Sequence, residues 1–286
     1  MFRFIFLFIE IYIKYLIMTN LKTYCVTDVP SKNLERLNLS LVGVGNNKFS
    51  NEYIKCDNGD NIQKKEKYYS ELTFHYWFWR NELNKVDEKI WIGFCQKRRF
   101  WLKDKSKIIT NLEDLNNNIL RSIPNDWSEF DAFICDPIKV SPAKRMKLLK
   151  RGWRNWIKDP SILFNTNKHN IKLQFDMFHG YGLLDKAIDL MKVNQRDDFR
   201  FFVNNNTQFN PHIMVISKKA ILDKWFSDLF EWLFNCEKLF GFKELVGYDK
   251  GRLYAYLSER YLSYWFNKFC NSKSCPWSFY DTINLD

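Results

Sequence analysis

The sequence predicts an α/β fold with a mainly parallel central sheet flanked by helices. Two observations lead to this prediction. Short apolar runs typical of strands alternate along the chain with longer amphipathic stretches typical of helices. One of the apolar runs, residues 90–95 (IWIGFC), is almost continuously apolar, which indicates a strand buried on both faces of a parallel sheet.

Four further segments are predicted to be strands because they are rich in β-branched and aromatic residues and end at turn-forming residues. They are residues 22–27 (KTYCVT), 40–45 (SLVGVG), 131–135 (DAFIC) and 211–217 (PHIMVIS). The apolar spacing predicts helices over residues 68–83, with Ser70 as a possible cap, and over residues 183–193, 219–240 and 252–269.

Composition restricts the class of protein. The chain has 286 residues, a formal net charge of +11 and 18% aromatic residues, and a mean hydropathy of −0.41. It is long enough to bury a core without disulfides, and it lacks the repeated apolar segments of a polytopic membrane protein. A basic, aromatic-rich chain favours anionic partners, namely nucleotide diphosphates, phosphorylated lipids, a membrane surface or nucleic acid.

The first 18 residues are mostly apolar, but Arg3, Glu10 and Lys14 interrupt them, and the uninterrupted apolar stretches are too short to span a bilayer. Met18 as the true first residue is the favoured interpretation, with an interfacial amphipathic helix or a signal peptide as alternatives. We therefore expect residues 1–17 to be an extension and residues 18–286 to form one domain. The number of cysteines, seven, is odd, and Cys25, Cys95 and Cys135 lie in apolar strand-like runs, which is typical of reduced, buried cysteines in a cytosolic protein.

Polar residues follow three of the predicted strands. In open α/β sheets, ligands bind just beyond the carboxyl ends of strands. The polar residues are Thr27 and Asp28, then Gln96 with Arg98 and Arg99 in one cluster, and finally Asp136. Because guanidinium groups match phosphate oxygens, the two arginines are predicted to hold a diphosphate. The alternative is a solvated strand end with an arginine paired to a carboxylate.

Four other features allow two interpretations each. The loop containing Asp57, Asp60 and Asn61 is either a site for ribose, sugar or a divalent cation, or a plain Gly turn. Glu71 is either functional or a helix-dipole partner, and His212 is either a base or phosphate contact, or structural. The basic stretch 144–158 is either a lipid-phosphate patch or a solvated helix face.

The sequence contains no P-loop, no G-x-G-x-x-G fingerprint and no G-x-S-x-G elbow. These absences argue against NTPase, dehydrogenase and α/β-hydrolase functions.

Five motifs, in order along the chain, resemble those of a family of bacterial capsular and exopolysaccharide biosynthesis proteins. This family is catalogued as a domain of unknown function and regarded as glycosyltransferases of the GT-A type. The motifs are residues 57–62 (DNGDNI, like DNTGDNIS), 69–81 (YSELTFHYWFWRN, like YCELTALYWAWKN), 92–100 (IGFCQKRRF, like IGLCHYRRY), 210–216 (NPHIMVI, like a YNMFIM strand) and 257–262 (LSERYL, like LSERLLN). The resemblance covers about residues 22 to 270.

The resemblance implies a GT-A-like fold and transfer of a sugar from a nucleotide-sugar donor to a glycan in capsule, exopolysaccharide or O-antigen synthesis. The residues expected around the donor and its diphosphate are Thr27, Asp28, Asp57, Asp60, Asn61, Glu71, Gln96, Arg98, Arg99 and His212. The candidates for a general base are Asp136 and Glu259. The chain departs from the family at Gln96, usually His, and at Lys97, usually Tyr.

Many GT-A enzymes hold a metal with an Asp-x-Asp pair, and this sequence has none. We therefore expect the fixed charge of Arg98 and Arg99 to stabilise the leaving diphosphate. If Mn²⁺ or Mg²⁺ is used instead, Asp57 and Asp60 are the first candidate ligands.

The family context implies a lipid-linked or free glycan acceptor and a cytoplasmic enzyme, with a peripheral location at the anionic inner face of the membrane as an alternative. Two other functions remain open. A nucleic-acid-binding protein would share the basic charge, but the sequence carries no recognised binding motif. A non-catalytic sugar-binding relative would be consistent with the loss of the family histidine.

Overall fold

A computed structural model describes residues 20–140 and 145–283 of the chain. Within these residues, nine strands form one sheet and two form a small ribbon. The strands are β1 (Leu21–Thr27), β2 (Ser40–Gly43), β3 (Ile54–Lys55), β4 (Trp91–Gln96), β5 (Arg99–Trp101), β6 (Ala132–Cys135), β7 (Ile138–Lys139), β8 (Gln208–Phe209), β9 (Val215–Lys218), β10 (Ser272–Cys275) and β11 (Trp277–Phe279).

Helices cover both faces of the sheet. They are α1 (Lys32–Glu35), α2 (Glu66–Tyr69), α3 (Leu72–Asn81), α4 (Leu112–Asn118), α5 (Arg145–Arg151), α6 (Trp153–Lys158), α7 (Ile171–Phe178), α8 (Leu183–Asp189), α9 (Val193–Asn205), α10 (Lys219–Phe240), α11 (Tyr248–Gly251) and α12 (Leu253–Phe269). The predicted N-terminal extension and residues 141–144 lie outside the described residues.

The main path of the sheet has the strand order β10-β6-β9-β4-β1-β2-β3. The neighbours β4, β1, β2 and β3 run parallel, and β10 runs parallel to β6. The strand β9 is antiparallel to both β4 and β6. The predicted α/β fold with a mainly parallel central sheet is therefore confirmed.

The strand β4 lies at the centre of the sheet and separates two apolar layers. Because side chains alternate along a strand, Ile92 and Phe94 point into the layer built with α3, α10 and α12, whereas Trp91 and Cys95 point into the opposite layer. All four side chains are buried. The burial on both faces predicted for residues 90–95 is confirmed.

The predicted single helix over residues 68–83 is wrong, because the chain breaks between α2 and α3. Ser70 has a φ of +52° and a ψ of −131° and ends α2 instead of capping the next helix. A non-glycine residue adopts this conformation only when the surrounding structure imposes it. The apolar spacing continues through the break, so the pattern alone did not reveal it.

Two other predicted boundaries shift by four residues, and the strand predicted over residues 40–45 ends at Gly43. The strand predicted over residues 211–217 begins at Val215, after His212 with a φ of +65°. The helix predicted over residues 183–193 ends at Asp189. The long helix over residues 219–240 has the predicted bounds.

Among the described residues, no helix combines the length and the apolar character needed to cross a bilayer. The cysteines in β1, β4 and β6 are buried and unpaired, as predicted.

Candidate functional site

The strand order reverses between β1 and β4, and this reversal places a cleft at their carboxyl ends. From β1 the chain moves outward to β2 and β3, whereas β4 pairs with the other side of β1. Connections that leave in opposite directions open a crevice beyond the strand ends, where α/β proteins bind ligands. The residues that directly follow these two strands line this cleft.

The cleft has two arms that share a junction. The strand arm has a volume of about 200 Å³ and is lined outside the junction by Val26, Thr27, Asp28, Val44, Glu66, Lys97 and Arg98. The helix arm has a volume of about 110 Å³ and adds His212, Ile213, Ala255, Tyr256 and Glu259. The junction, which lines both arms, consists of Ser70, Glu71, Gln96, Arg99 and Arg252.

The positive charge of the cleft comes mainly from the tight turn between β4 and β5. These strands pair only at Gln96 and Arg99, so Lys97 and Arg98 form the turn itself. Arg98 lies 3.8 Å from the carboxylate of Asp281. Among the described residues, no carboxylate lies within 4 Å of the Arg99 guanidinium, and its Nη1 donates to Oε1 of Gln96 at 3.2 Å.

The carboxy-terminal segment fixes the backbone of this turn. The amide of Tyr280 donates to the carbonyl of Arg98 at 3.1 Å, and the Thr282 hydroxyl donates to the carbonyl of Lys97 at 2.5 Å. Ser31 in turn donates to the carbonyl of Thr282 at 2.8 Å. The turn is therefore held before any ligand binds, which favours anion binding because no ordering cost is added.

Two carboxylates of the strand arm have opposite pKa shifts. Burial acts to raise the pKa of Asp28, but the hydrogen bond and charge of Lys97 outweigh it and lower that pKa. The pKa of Glu66 is raised, mainly by burial and then by the charge of Asp28. Asp28 is thus ionised at neutral pH, whereas protonation of Glu66 is favoured relative to a free glutamate.

At the junction, the Gln96 amide connects Arg99 to Glu71. The Nε2 of Gln96 donates to Oε1 of Glu71, while its Oε1 accepts from Arg99. Glu71 directly follows the strained residue Ser70 and precedes the first residue of α3. This connection fixes the orientation of the carboxylate and of the guanidinium together.

In the helix arm, Glu259 is tied to its neighbours. Its Oε1 accepts from the backbone amide of His212 at 2.6 Å, and its Oε2 pairs with the guanidinium of Arg260. Burial, followed by the charges of Arg99 and Arg260, lowers the pKa of His212 to about 2. His212 is therefore a neutral imidazole at physiological pH, and its ring lies edge-on to Trp277 at 4.5 Å.

The predicted donor residues thus fall into two groups. The structure brings Thr27, Asp28, Glu71, Gln96, Arg98, Arg99 and His212 together around one cleft, with the predicted base Glu259. The predicted residues Asp57, Asp60 and Asn61, and the predicted base Asp136, do not line it.

The loop with Asp57 and Asp60 packs on α3 instead. Asp60 accepts from Nε of Arg80 at 2.9 Å and from the hydroxyl of Tyr76 at 3.1 Å. Asn61 donates to the carbonyl of Gly59 at 3.0 Å, as in the Gly turn considered above. Because Asp60 already forms an ion pair with Arg80, it fits a structural role in holding the loop on α3 better than the role of a metal ligand.

Asp136 forms an ion pair with Lys105 at 2.8 Å, outside both arms. Within residues 20–140 and 145–283, no three His, Cys, Asp or Glu side chains are grouped in a way that would hold a metal ion.

Three charged residues of the cleft were not among the candidates taken from the sequence, namely Glu66, Lys97 and Arg252. Lys97 was visible as a departure from the family pattern next to the two arginines. Glu66 had no local signal, because it lies in an ordinary charged stretch. Arg252 is remote in sequence from β1 and β4, and only the tertiary fold brings it to them.

The chain belongs to the family described as a domain of unknown function, DUF4422, whose model matches residues 23–271. It also has the fold of a solved protein, the bifunctional glycosyltransferase WbbM in its apo form, with a TM-score of 0.69 and 18% identity. The similarity covers 91% of this chain but 45% of that one, so this chain spans about half the length of WbbM. No curated protein matches the sequence.

Proposed function

We propose that this protein is a glycosyltransferase that moves a sugar from a nucleotide-sugar donor to a glycan acceptor. The observation that carries the proposal is the cleft at the β1–β4 switch point, with Lys97, Arg98, Arg99 and Arg252 around it. The fold shared with a bifunctional glycosyltransferase supports it. The resemblance to capsule and exopolysaccharide proteins suggests that the product is a surface polysaccharide.

Glycosyl transfer needs a site that stabilises the negative charge developing on the leaving diphosphate. In this chain the β4–β5 turn would provide that charge. Arg99 is the best placed of the turn residues, because it has no ion-pair partner among the described carboxylates. Its guanidinium can donate two parallel hydrogen bonds to phosphate oxygens.

This proposal predicts specific nucleotide binding and turnover. Nucleoside diphosphates and nucleotide sugars should raise the melting temperature of the protein, because a ligand that binds only the folded state stabilises it by mass action. At least one donor should release its nucleoside diphosphate, and faster when a glycan is added. Scanning calorimetry and coupled assays of diphosphate release test both expectations. A melting temperature unaffected by every nucleotide would contradict the proposal.

We propose further that the arginines replace a bound metal in this reaction, in whole or in part. Asp60 forms an ion pair with Arg80. In the cleft, the carboxylate of Asp28 forms an ion pair with Lys97. Addition of EDTA in the turnover assay is therefore expected to leave most of the rate. Complete loss of activity that Mn²⁺ or Mg²⁺ restores would overturn this part of the proposal.

We also propose that the acceptor is a glycan carried on a membrane lipid, which the enzyme reaches through the α5–α6 patch. This patch consists of nine exposed residues on two short helices, which combine apolar and basic side chains: Met146, Lys147, Leu149, Lys150, Arg151, Trp153, Arg154, Ile157 and Lys158. Met146 is 62% exposed and Ile157 58%. Exposed apolar side chains among lysines and arginines are typical of a surface that lies on anionic lipid.

The patch predicts binding to vesicles that contain phosphatidylglycerol. Each basic residue near such a surface contributes about 1 kcal/mol, so the loss of two weakens binding roughly 30-fold. The Lys150→Glu/Arg154→Glu variant, which also adds two negative charges, should therefore bind these vesicles at least about 30-fold more weakly. The Lys55→Glu/Lys89→Glu variant has the same net charge, and its changes lie outside the patch, so it serves as the matched control. Vesicle flotation measures the binding. Equal loss in both variants, or binding that does not weaken with salt, would contradict the prediction.

A further inference from the structure

We infer that Glu71 is the general base that accepts the proton of the attacking acceptor hydroxyl, and that Gln96 positions it. This inference rests on the proposed glycosyl transfer and assigns the catalytic group within it. It replaces both sequence candidates, because Asp136 lies outside the cleft and Glu259 has its two carboxylate oxygens engaged.

Glu71 lies where a general base is needed. A base must contact the nucleophilic hydroxyl, which lies between the bound donor and the bound acceptor. Asp28 and Glu66 line only the strand arm, and Glu259 lines only the helix arm. Among the described carboxylates, Glu71 is the one that lines both arms. With the diphosphate on the arginines of the strand arm and the acceptor in the helix arm, Glu71 lies where the two substrates meet.

The Glu71 carboxylate is also available to accept a proton. Asp28 is paired with Lys97, and a paired carboxylate is a poor proton acceptor. Oε1 of Glu71 accepts from the Gln96 amide. No donor among the described residues bonds its Oε2, so this oxygen can take a proton from a substrate hydroxyl.

Gln96 also keeps the Glu71 carboxylate apart from the Arg99 guanidinium. Gln96 lies between Glu71 and Arg99 and hydrogen-bonds to both, so the two charges do not pair directly. An amide does not titrate, which makes Gln96 a positioning residue. Ser70, with its φ of +52°, starts the turn that brings Glu71 to this place. Strained backbone of this kind is concentrated at functional sites.

The reaction then follows as one displacement. The acceptor oxygen forms a bond to the anomeric carbon of the donor sugar, and its proton moves to Oε2 of Glu71. The bond between the anomeric carbon and the phosphate oxygen breaks, and its electron pair stays on the diphosphate. The cations of the β4–β5 turn stabilise that charge. Because the nucleophile attacks opposite to the leaving group, the configuration at the anomeric carbon is inverted.

The test compares the full-length protein with its Glu71→Gln variant on a panel of nucleotide sugars, with water and simple glycosides as acceptors. We expect Glu71→Gln to lower kcat by about 100-fold or more, as is typical for the loss of a general base. The dissociation constant for the nucleoside diphosphate, measured by calorimetry, should change less than about twofold, since the base does not contact the diphosphate. Unchanged nucleotide binding also shows that the variant folds.

The matched control is Glu88→Gln, an exposed residue beyond the opposite end of β4, which should keep full activity. The positioning role of Gln96 is tested by the Gln96→Ala variant, which should have a lower kcat with little change in KM. The Gln96→His variant can still donate and accept hydrogen bonds, so its kcat should lie between those of Gln96→Ala and the wild-type protein. Proton NMR of the product should show inverted anomeric configuration.

The outcomes separate the two proposals. If the wild-type protein turns over no donor of the panel, the proposed function fails and the assignment of Glu71 fails with it. If the wild-type protein is active and Glu71→Gln retains its kcat, or if the product retains its configuration, only the assignment of Glu71 is overturned.

Discussion

Replacement of Arg99 with alanine is expected to reduce kcat/KM for glycosyl transfer by roughly 100- to 1,000-fold, in the range seen when one group that stabilises a transition-state charge is removed. Arg99 lines both arms of the cleft, and among the described residues no carboxylate neutralises it. Its charge therefore remains for the leaving diphosphate. Steady-state rates of nucleoside diphosphate release, with donor and acceptor varied in turn, measure the effect.

The Arg99→Lys variant gives a sharper version of this experiment. Lysine keeps the positive charge but loses the planar pair of donors that matches two phosphate oxygens. We expect it to recover only part of the lost rate, which would separate the contribution of charge from that of geometry. Lys89→Ala removes an exposed cation from outside the cleft and should have no effect. If Arg99→Ala behaves like Lys89→Ala, the diphosphate is bound elsewhere and the proposed site is wrong.

The general location of the cleft could be predicted from the sequence because it depends on one topological rule. Thr27 and Asp28 follow one buried strand, and Arg98 and Arg99 follow another. Parallel strands place their carboxyl ends at the same edge of a sheet. The sequence did not show that β1 and β4 are neighbours, but any arrangement of parallel strands brings these residues to one edge.

The remaining residues depend on contacts between distant parts of the chain. The Asp57–Asn61 loop has the composition of a ligand site, but its polar groups are used by Arg80 and Asn81 of α3. Glu259 lies on a helix, and its hydrogen bond with the backbone amide of His212 forms only once that helix has packed. A residue's type tells which chemistry is possible, whereas the tertiary partners decide whether the group is available for it.

Glu259 gives the second prediction with a large effect, this time on stability. We expect Glu259→Gln to lower the free energy of unfolding by about 3 kcal/mol, because it leaves the Arg260 guanidinium buried without a countercharge. Arg260 is 3% exposed and lies 4.3 Å from the ring centre of Phe209. Urea denaturation, followed by tryptophan fluorescence, measures the change.

A double variant distinguishes this structural role from a catalytic one. Replacing a buried ion pair by apolar residues of similar size is often close to neutral, so Glu259→Leu/Arg260→Met should be more stable than Glu259→Gln. An exposed carboxylate, changed as Glu113→Gln, should alter stability by less than about 0.5 kcal/mol. If Glu259→Gln leaves stability intact but abolishes turnover, then Glu259 acts on the substrate, and the distinction drawn between it and Glu71 is wrong. The two carboxylates differ in their neighbours: Glu259 is held by a buried cation, and Glu71 is held by a neutral amide.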